Sequence, residues 1–295
     1  MRNRFKGAVV GLVVVLVSSV FVVQMARSQS TQGSPWKFNP KDASVGDGGP
    51  APKRDLTGTW AGPGSSPAVP RGGAPEKPTL TPLGQQLMSN AKPIGRYSPA
   101  GTNDPHARYC DPVGFPQNAY NEARGLTIAT MPDRVVLLLQ YMNVWREVWT
   151  DGRALPTTAG GTGKDAIDPT YNGYSVGHWE DDYNFMVETV GLEPTTWATK
   201  GGQPHSGDAK VTERFTRVDK NDMQLSITMT DPAYYTAPFV IGTENFRWVP
   251  NQQLDDFTCI PSEVQEYLKT MADPAGFDAN APEPGRGGGR GGRGR

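Results

Sequence analysis

The feature that most constrains the fold is a period-two alternation of apolar and polar residues through the middle of the chain. Successive side chains of an extended strand point to opposite faces, so this alternation is typical of strands with one face in a core. Turn dipeptides and short polar runs separate the segments, as in hairpins. We predict about eight strands and a mainly β fold, an antiparallel barrel or a sandwich. The segments are RVVLLLQY (134–141), NVWREVWT (143–150), YSVGHW (174–179), YNFMVETV (183–190), AKVTERFTRV (209–218), MQLSITMT (223–230), PFVI (238–241) and NFRWV (245–249).

Two short segments, LTPLGQQLMSN (80–90) and SEVQEYLKTMA (262–272), carry helical signals. Thr81 is a cap candidate in the first segment, because a proline follows it at the first helical position. Ser262 has capping-box spacing in the second segment. We therefore expect one or two short helices, of which the second could plug or flank a barrel.

The two ends of the chain differ in composition from its middle. A basic start, an apolar run over residues 7–23 and the small-residue pattern before Gln29 predict an export signal that is cleaved near that residue. An uncleaved membrane anchor is the alternative, since the run is nearly long enough to span a bilayer. We therefore predict a periplasmic or secreted protein. The predicted organisation is a signal peptide (1–28), a disordered linker (29–54), a β-barrel domain (55–272) and a disordered Gly/Arg-rich tail (273–295).

Charge is distributed unevenly along the chain. The formal net charge is −1, but residues 1–28 and the tail from Gly285 each carry four positive charges and no acid, which leaves −9 on residues 29–284. An acidic body argues against specific nucleic-acid binding. Arg-Gly repeats can bind RNA, but no aromatic residue interleaves them here. We expect the tail to make weak contacts with anionic surfaces.

The chain holds two cysteines, Cys110 and Cys259. Export to an oxidising compartment favours a disulfide between them, and this bond would close a loop of about 150 residues. The alternative is two buried free thiols.

The strand pattern places a carboxylate in the core. Glu213 alternates in phase with Val211 and Phe215, so its side chain is predicted to point inward. A buried carboxylate is costly unless it is paired or protonated. The candidate partners are Arg146, which lies on the inward phase of its own strand, and Arg153. Such a pair could be a structural ion pair, or it could form part of a ligand site.

His205 and Ser206 lie in a Gly- and Pro-rich loop that leads into the same strand. A loop at a barrel mouth could hold the imidazole over a cavity; the alternative is a surface turn in which Ser206 or Asp208 caps backbone amides. The run PHSGD does not indicate a catalytic triad, because adjacent residues rarely face each other and no GxSxG elbow occurs. The catalytic candidates are His205, Glu213 and Arg153.

Aromatic residues are numerous, with seven tryptophans and ten tyrosines. In a β domain they can form an aromatic core, or they can line a cavity that stacks a planar or sugar-like ligand. The ligand-binding candidates are Arg146, Tyr174, His178, Trp179 and Tyr235.

The sequence predicts no metal and no organic cofactor. His106, His178 and His205 lack the spacing of a zinc-binding pair, and the acids after His178 are ordinary turn residues. The run GGTGK (160–164) is too short for a phosphate-binding loop.

Several short motifs resemble an uncharacterised family of secreted bacterial proteins. The resemblance spans about residues 55–260 and specifies no chemistry; EDDYNFMVET (180–189) departs from it, since the family pattern there is EGDTLVVET. The opening Gly58-x-Trp60 also resembles lipocalin-like barrels, in which the indole closes one end, and this analogy implies a fold only. The motifs are DLTGTW (55–60), TDGR (150–153), GYSVGHWE (173–180), VETVG (187–191), PHS (204–206), VTERFTRVD (211–219) and DPAYYTAPF (231–239).

These observations leave three functions open. The favoured one is an exported lipocalin-like barrel that binds a small organic ligand in an aromatic-lined cavity. The second is a cofactor-independent hydrolase or lyase, in which Glu213 or His205 acts as general base and an arginine stabilises an anion. The third is a structural envelope protein that is displayed through its tail.

Overall fold

The described residues form nine β-strands that close into one barrel in sequence order. The structure is a computed structural model that describes residues 48–62, 69, 72–73, 75–120, 124–157, 167–250 and 252–272. The predicted signal peptide, most of the predicted linker and the Gly/Arg-rich tail lie outside the described residues. The predicted fold class, a mainly β barrel with a few short helices, is confirmed.

Neighbouring strands are antiparallel around the barrel, except that β4 and β5 are parallel. Pairing of Trp60 with Trp248 joins the first strand to the last and closes the sheet. The strands are β1 (Gly58–Ala61), β2 (Gly125–Thr130), β3 (Arg134–Leu139), β4 (Val144–Trp149), β5 (Tyr174–Trp179), β6 (Asn184–Val190), β7 (Lys210–Arg217), β8 (Asp222–Thr230) and β9 (Phe239–Trp248).

Three strands differ from the sequence prediction. β1 was not among the predicted strand segments, although the Gly58-x-Trp60 motif lies in it. β2 was not predicted, because only Leu126 and Ile128 mark its inward face. The two segments expected over 238–241 and 245–249 are one continuous strand, β9. Gly242 within it is not a turn residue: a Cβ at this position would lie 2.1 Å from Cε2 of Tyr120, so the glycine lets that ring lie against the strand.

The barrel interior is filled by side chains rather than left hollow. The inward residues of β7 and β8 alternate as the sequence pattern predicts. Trp60 is fully buried at one end of the barrel, where its indole nitrogen donates to the carbonyl of Leu56 (3.0 Å) and the guanidinium of Arg217 lies 4.5 Å from its ring. These two contacts hold the buried indole in place.

Short helices lie in the segments outside the barrel strands. They are α1 (Pro82–Asn90), α2 (Pro105–Tyr109), α3 (Gln117–Tyr120) and α4 (Pro261–Tyr267), which continues as a π-helical turn (Leu268–Ala272). The hydroxyl of Thr81 caps α1 by accepting from Gly84 N, as predicted. The prediction that Ser262 caps the last helix was wrong. That helix begins one residue earlier, since the fixed φ of Pro261 suits a first helical turn. It packs beside α2, where Gln265 donates to Arg108 O.

Cys110 and Cys259 form a disulfide, with their Cα atoms 5.5 Å apart and 149 residues apart in sequence. The bond links the end of α2 to the segment that precedes α4. The predicted pairing is therefore confirmed. In the part of the chain that the structure describes, no helix has both the length and the apolar character needed to cross a membrane.

Candidate functional site

A cleft opens beside the parallel pair of strands. β4 and β5 pair at only two positions, Val148 with Ser175 and Trp149 with Val176, so the start of β4 lies outside this pairing. A cavity of about 570 Å³ lies there, lined by β4 and by the chain that leads into β5. We call it the β4–β5 cleft. Its lining side chains include Trp145, Glu147, Trp149, Thr170, Asn172 and Tyr174, with Arg146 and Ser175 at its floor.

Gly173 allows the chain to turn sharply into β5 beside the cleft. Its φ of +66° is in the left-handed region that favours glycine. A Cβ at this position would also lie 2.6 Å from Cγ2 of Thr189 and 2.7 Å from the carbonyl oxygen of Val190. The turn at Gly173 beside the cleft therefore requires glycine, both for its backbone conformation and for the close packing around it.

A buried ion pair lies beneath the cleft, as the strand alternation predicts. Nη1 of Arg146 donates to Oε1 of Glu213 (3.0 Å) and Nη2 donates to Oε2 (2.8 Å). The side chains are 2% and 0% exposed, respectively. Two parallel, charge-assisted bonds of this kind hold both partners in a fixed geometry.

The remaining groups around Arg146 are polar hydroxyls and one aromatic ring. Nη2 also lies within bonding distance of Ser175 Oγ (3.2 Å) and Thr189 Oγ1 (3.3 Å), which bond to each other at 2.8 Å. The guanidinium lies 3.8 Å from the centre of the Phe115 ring. Nε of Arg146 has no hydrogen-bond partner among the described residues. Glu213 thus has both carboxylate oxygens engaged, and the pair is shielded from water.

Paired charges also form the rim of the cleft. Arg153 is paired with Asp151 and donates to the hydroxyl of Tyr174 (3.1 Å). Its guanidinium lies 3.5 Å from the centre of the Trp149 ring, and that of Arg134 lies 3.8 Å from the same ring. The two guanidiniums must cover opposite faces of the indole, since they would overlap on one face.

The rim charges are held in their ionised forms by these contacts. Hydrogen bonds that Arg153 donates to Asp151 lower the pKa of the Asp151 carboxyl and raise the pKa of the Arg153 guanidinium. Glu147 is paired in turn with Arg134, with Oε1 and Nη1 2.9 Å apart. Every charged side chain that lines the cleft therefore already has a partner of opposite charge.

His205 lies in a separate buried loop. Its Nε2 is 2.9 Å from Thr196 Oγ1 and its Nδ1 is 3.3 Å from the carbonyl of Ser206. The amide and hydroxyl of Ser206 both donate to Asp231, at 2.7 and 2.9 Å. His205 is 1% exposed, so it is not a surface turn residue, and burial lowers its pKa. The hydrogen-bond partners of His205 and Glu213 have no residue in common.

The other ligand-binding candidates are scattered. His178 is exposed, and Trp179 packs against Phe185 with ring centres 5.2 Å apart. Tyr235 is buried, where its hydroxyl donates to Pro204 O (2.6 Å). None of the three lines the β4–β5 cleft. The structure brings together Arg146 and Tyr174 of that set, with Glu213 beneath them and Arg153 at the rim.

Sequence reasoning missed several residues of the cleft. Trp145 and Trp149 alternate with the inward residues of β4, and two large indoles on an outward face were a usable signal. Asn172 follows no pattern, because it lies in the loop before β5. Phe115 reaches Arg146 from a segment more than 30 residues earlier in the chain, and no local periodicity reports such a contact.

No cluster of three metal-ligating side chains occurs within the described ranges. Comparison of the chain with protein-family models, with curated proteins and with solved structures finds no match.

The burial of His205 predicts a pH dependence of stability. The pKa of His205 is lowered from 6.5, so the unfolded chain binds more protons than the folded one below that pH. The free energy of unfolding should therefore be fully retained above about pH 7.5 and fall as pH drops through 6.5, by at most about 1.4 kcal/mol per pH unit. Urea unfolding at pH 7.5 and 5.5 measures it. His205→Gln should flatten this dependence, whereas His178→Gln, at an exposed histidine, should preserve it. The same slope in all three proteins would contradict this role of His205.

Proposed function

We propose that the protein is an exported binding protein whose β4–β5 cleft holds a small organic ligand. The observation that carries the proposal is the cleft itself. Its volume of about 570 Å³ lies within the range of about 300–1,000 Å³ that is usual for small-molecule sites. Aromatic rings from Trp145, Trp149 and Tyr174 share its lining with the hydroxyl of Thr170 and the amide of Asn172. Aromatic walls with a few polar groups suit a planar or sugar-like ring.

The pairing of charges around the cleft favours a neutral ligand. Arg146 is neutralised by Glu213, Glu147 by Arg134, and Arg153 by Asp151. An anionic ligand would have to break one of these pairs or remain without a counter-charge in a partly desolvated site, and either is costly. Hydroxyl and carbonyl groups can bond to Asn172, Thr170 and Tyr174 without that cost.

The geometry favours binding over turnover. A general base needs an oxygen that can reach the proton it abstracts. Both oxygens of Glu213 accept from Arg146, and the side chain is fully buried. His205 is buried in another loop with Thr196 as its partner. Neither residue presents a basic atom to the cleft.

Export is supported by two independent features. The basic and apolar start of the sequence has the composition of an export signal. The disulfide between Cys110 and Cys259 is typical of an oxidising compartment.

Calorimetric titration tests the binding proposal, with cellotriose and coumarin as neutral probes and benzoate as an anionic one. At least one neutral probe should bind with a Kd of about 1 mM or tighter, and benzoate should bind at least tenfold more weakly. Tyr174→Ala should abolish the binding because it removes an aromatic wall of the cleft. Tyr183→Ala is the matched control, since Tyr183 is exposed and lies outside the cleft lining. Equal binding by both variants, or tighter binding of benzoate, would contradict the proposed site.

A further inference from the structure

A second concave surface lies on the outer side of the barrel wall. It has a volume of about 660 Å³ and is lined by residues of β1–β4, by residues 140 and 143 between β3 and β4, and by residues 250 and 252–256. We call it the outer groove. A cross-strand row forms its floor, because register pairs Thr59 with Thr127, Thr127 with Leu138 and Leu138 with Trp145.

The floor of the groove ends in exposed apolar side chains. Trp145 is 68% exposed and Leu138 is 44% exposed. Adjacent large apolar side chains on an outward strand face are unusual unless something covers them. Asp255 and Asp256 also line the groove. The side-chain amide of Asn143 donates to Oδ1 of Asp256 (3.4 Å). Asp255 makes no hydrogen bond or ion pair with any residue in the described part of the chain.

Three other tryptophans, Trp60, Trp149 and Trp248, have a cationic side chain close to the indole ring. A guanidinium lies on Trp60, two lie on Trp149, and the Lys220 ammonium lies 6.0 Å from the centre of the Trp248 ring. Trp145 has no cation on its ring within the described ranges. A cation above this indole would lie in a groove that also contains two carboxylates, those of Asp255 and Asp256. The groove lining also includes Gln252, whose buried side-chain oxygen has no hydrogen-bond partner among the described residues. The groove therefore offers an arginine side chain an aromatic face, negative charge and hydrogen-bond acceptors.

The chain itself carries such a segment. Residues 285–295 read GRGGGRGGRGR, four arginines separated only by glycines. Ala272 is at most about 35 Å along the chain path from Asp256, given four extended residues and one short helix between them. Residues 273–285 can span about 45 Å when extended. The arginines are therefore within reach of the groove.

We propose that residues 285–295 of the chain dock in its own outer groove, with a guanidinium on Trp145 and paired with Asp255 and Asp256. Glycine spacing suits this role, because the backbone can lie close to the row of Thr127 and Leu138 side chains. The docked segment would neutralise part of the acidic surface. The groove shares Trp145 with the β4–β5 cleft, whereas Tyr174, Asn172 and Thr170 line the cleft alone.

The test uses the synthetic peptide GRGGGRGGRGR and two full chains, one natural and one with Arg286, Arg290, Arg293 and Arg295 all replaced by Gln. Calorimetry should detect peptide binding to the substituted chain, whose groove lacks its natural occupant. The natural chain should bind the peptide about tenfold more weakly, because a tethered competitor acts at an effective concentration of about 1 mM. Equal affinity for the two chains, or no binding to the substituted chain at about 1 mM peptide, would overturn the proposal.

Further variants, made in the substituted chain, locate the contact. Trp145→Ala should weaken peptide binding about two- to fivefold, as expected for a cation over an exposed indole. Asp255→Asn should weaken it more than Asp208→Asn, which removes the same charge at an exposed site outside the groove. The lysine peptide GKGGGKGGKGK should bind more weakly than the arginine peptide.

Two results would contradict the details of the contact. Unchanged binding by Trp145→Ala would show that the peptide lies elsewhere. Self-association of the natural chain in sedimentation, abolished by the four Gln substitutions, would assign the groove to the tail of a second copy and so refute docking within one chain.

Discussion

Glu213→Gln is expected to lower the free energy of unfolding by about 3–5 kcal/mol, the usual cost of leaving a buried charge without its partner. The Gln amide group would place a donor against an Nη donor of Arg146, in a site with no exposure to solvent. For a domain of this size the melting temperature should fall by on the order of 10 °C. Chemical unfolding with two spectroscopic probes measures the change.

A double variant separates the effect of an unpaired charge on stability from the effect of changed packing volume. Arg146→Met with Glu213→Leu removes both charges, and exchanging a buried pair for apolar residues is often neutral or stabilising. Ser175 and Thr189 would retain each other, since their hydroxyls already bond at 2.8 Å. The double variant should therefore be clearly more stable than Glu213→Gln. If it is as unstable as the single variant, packing rather than the unpaired charge explains the loss.

Replacing both cysteines is expected to be at least as damaging. In the loop-entropy model a cross-link that closes a loop of this length contributes about 4–5 kcal/mol. Cys110→Ser with Cys259→Ser should lose most of that, and the segment around α4 should open first because it depends on this link. Its own apolar contacts form a small cluster of Ala100, Leu268 and Ala272, with Val264 packed against it.

Hydrogen exchange of the Pro261–Ala272 amides, compared with amides of β7 and β8, reports the order of opening. A thiol titration of the unfolded, unreduced protein serves as control and should find no free thiol. Loss of less than about 1 kcal/mol in the double variant would contradict a stabilising role for the bond.

The parts of the fold that followed from sequence are those set by alternation within one strand. Glu213 and Arg146 were placed inward because each shares the phase of its apolar neighbours, and the structure joins them. The Thr81 cap and the cysteine pairing also followed from local chemistry or from elimination.

The cleft could not be predicted in the same way. It depends on the parallel pairing of β4 with β5 at two positions, and the alternation within either strand does not predict this pairing. His205 illustrates the same limit. It is buried in contact with Thr196 and Ser206, and the Gly- and Pro-rich composition of its loop does not predict that burial. Long-range contacts such as Phe115 with Arg146 leave no periodic signal in a single sequence.

The binding site in the β4–β5 cleft is tested most directly by the indole N–H signals of the seven tryptophans in a proton–nitrogen correlation spectrum, assigned with single Trp→Phe variants. Trp149 is the decisive reporter, because it lines the cleft and not the outer groove. Titration with the neutral probe that binds best should shift the Trp149 signal in proportion to occupancy and leave that of Trp60, buried at one end of the barrel, unchanged. Saturable binding that leaves the Trp149 signal unmoved would contradict the proposed site.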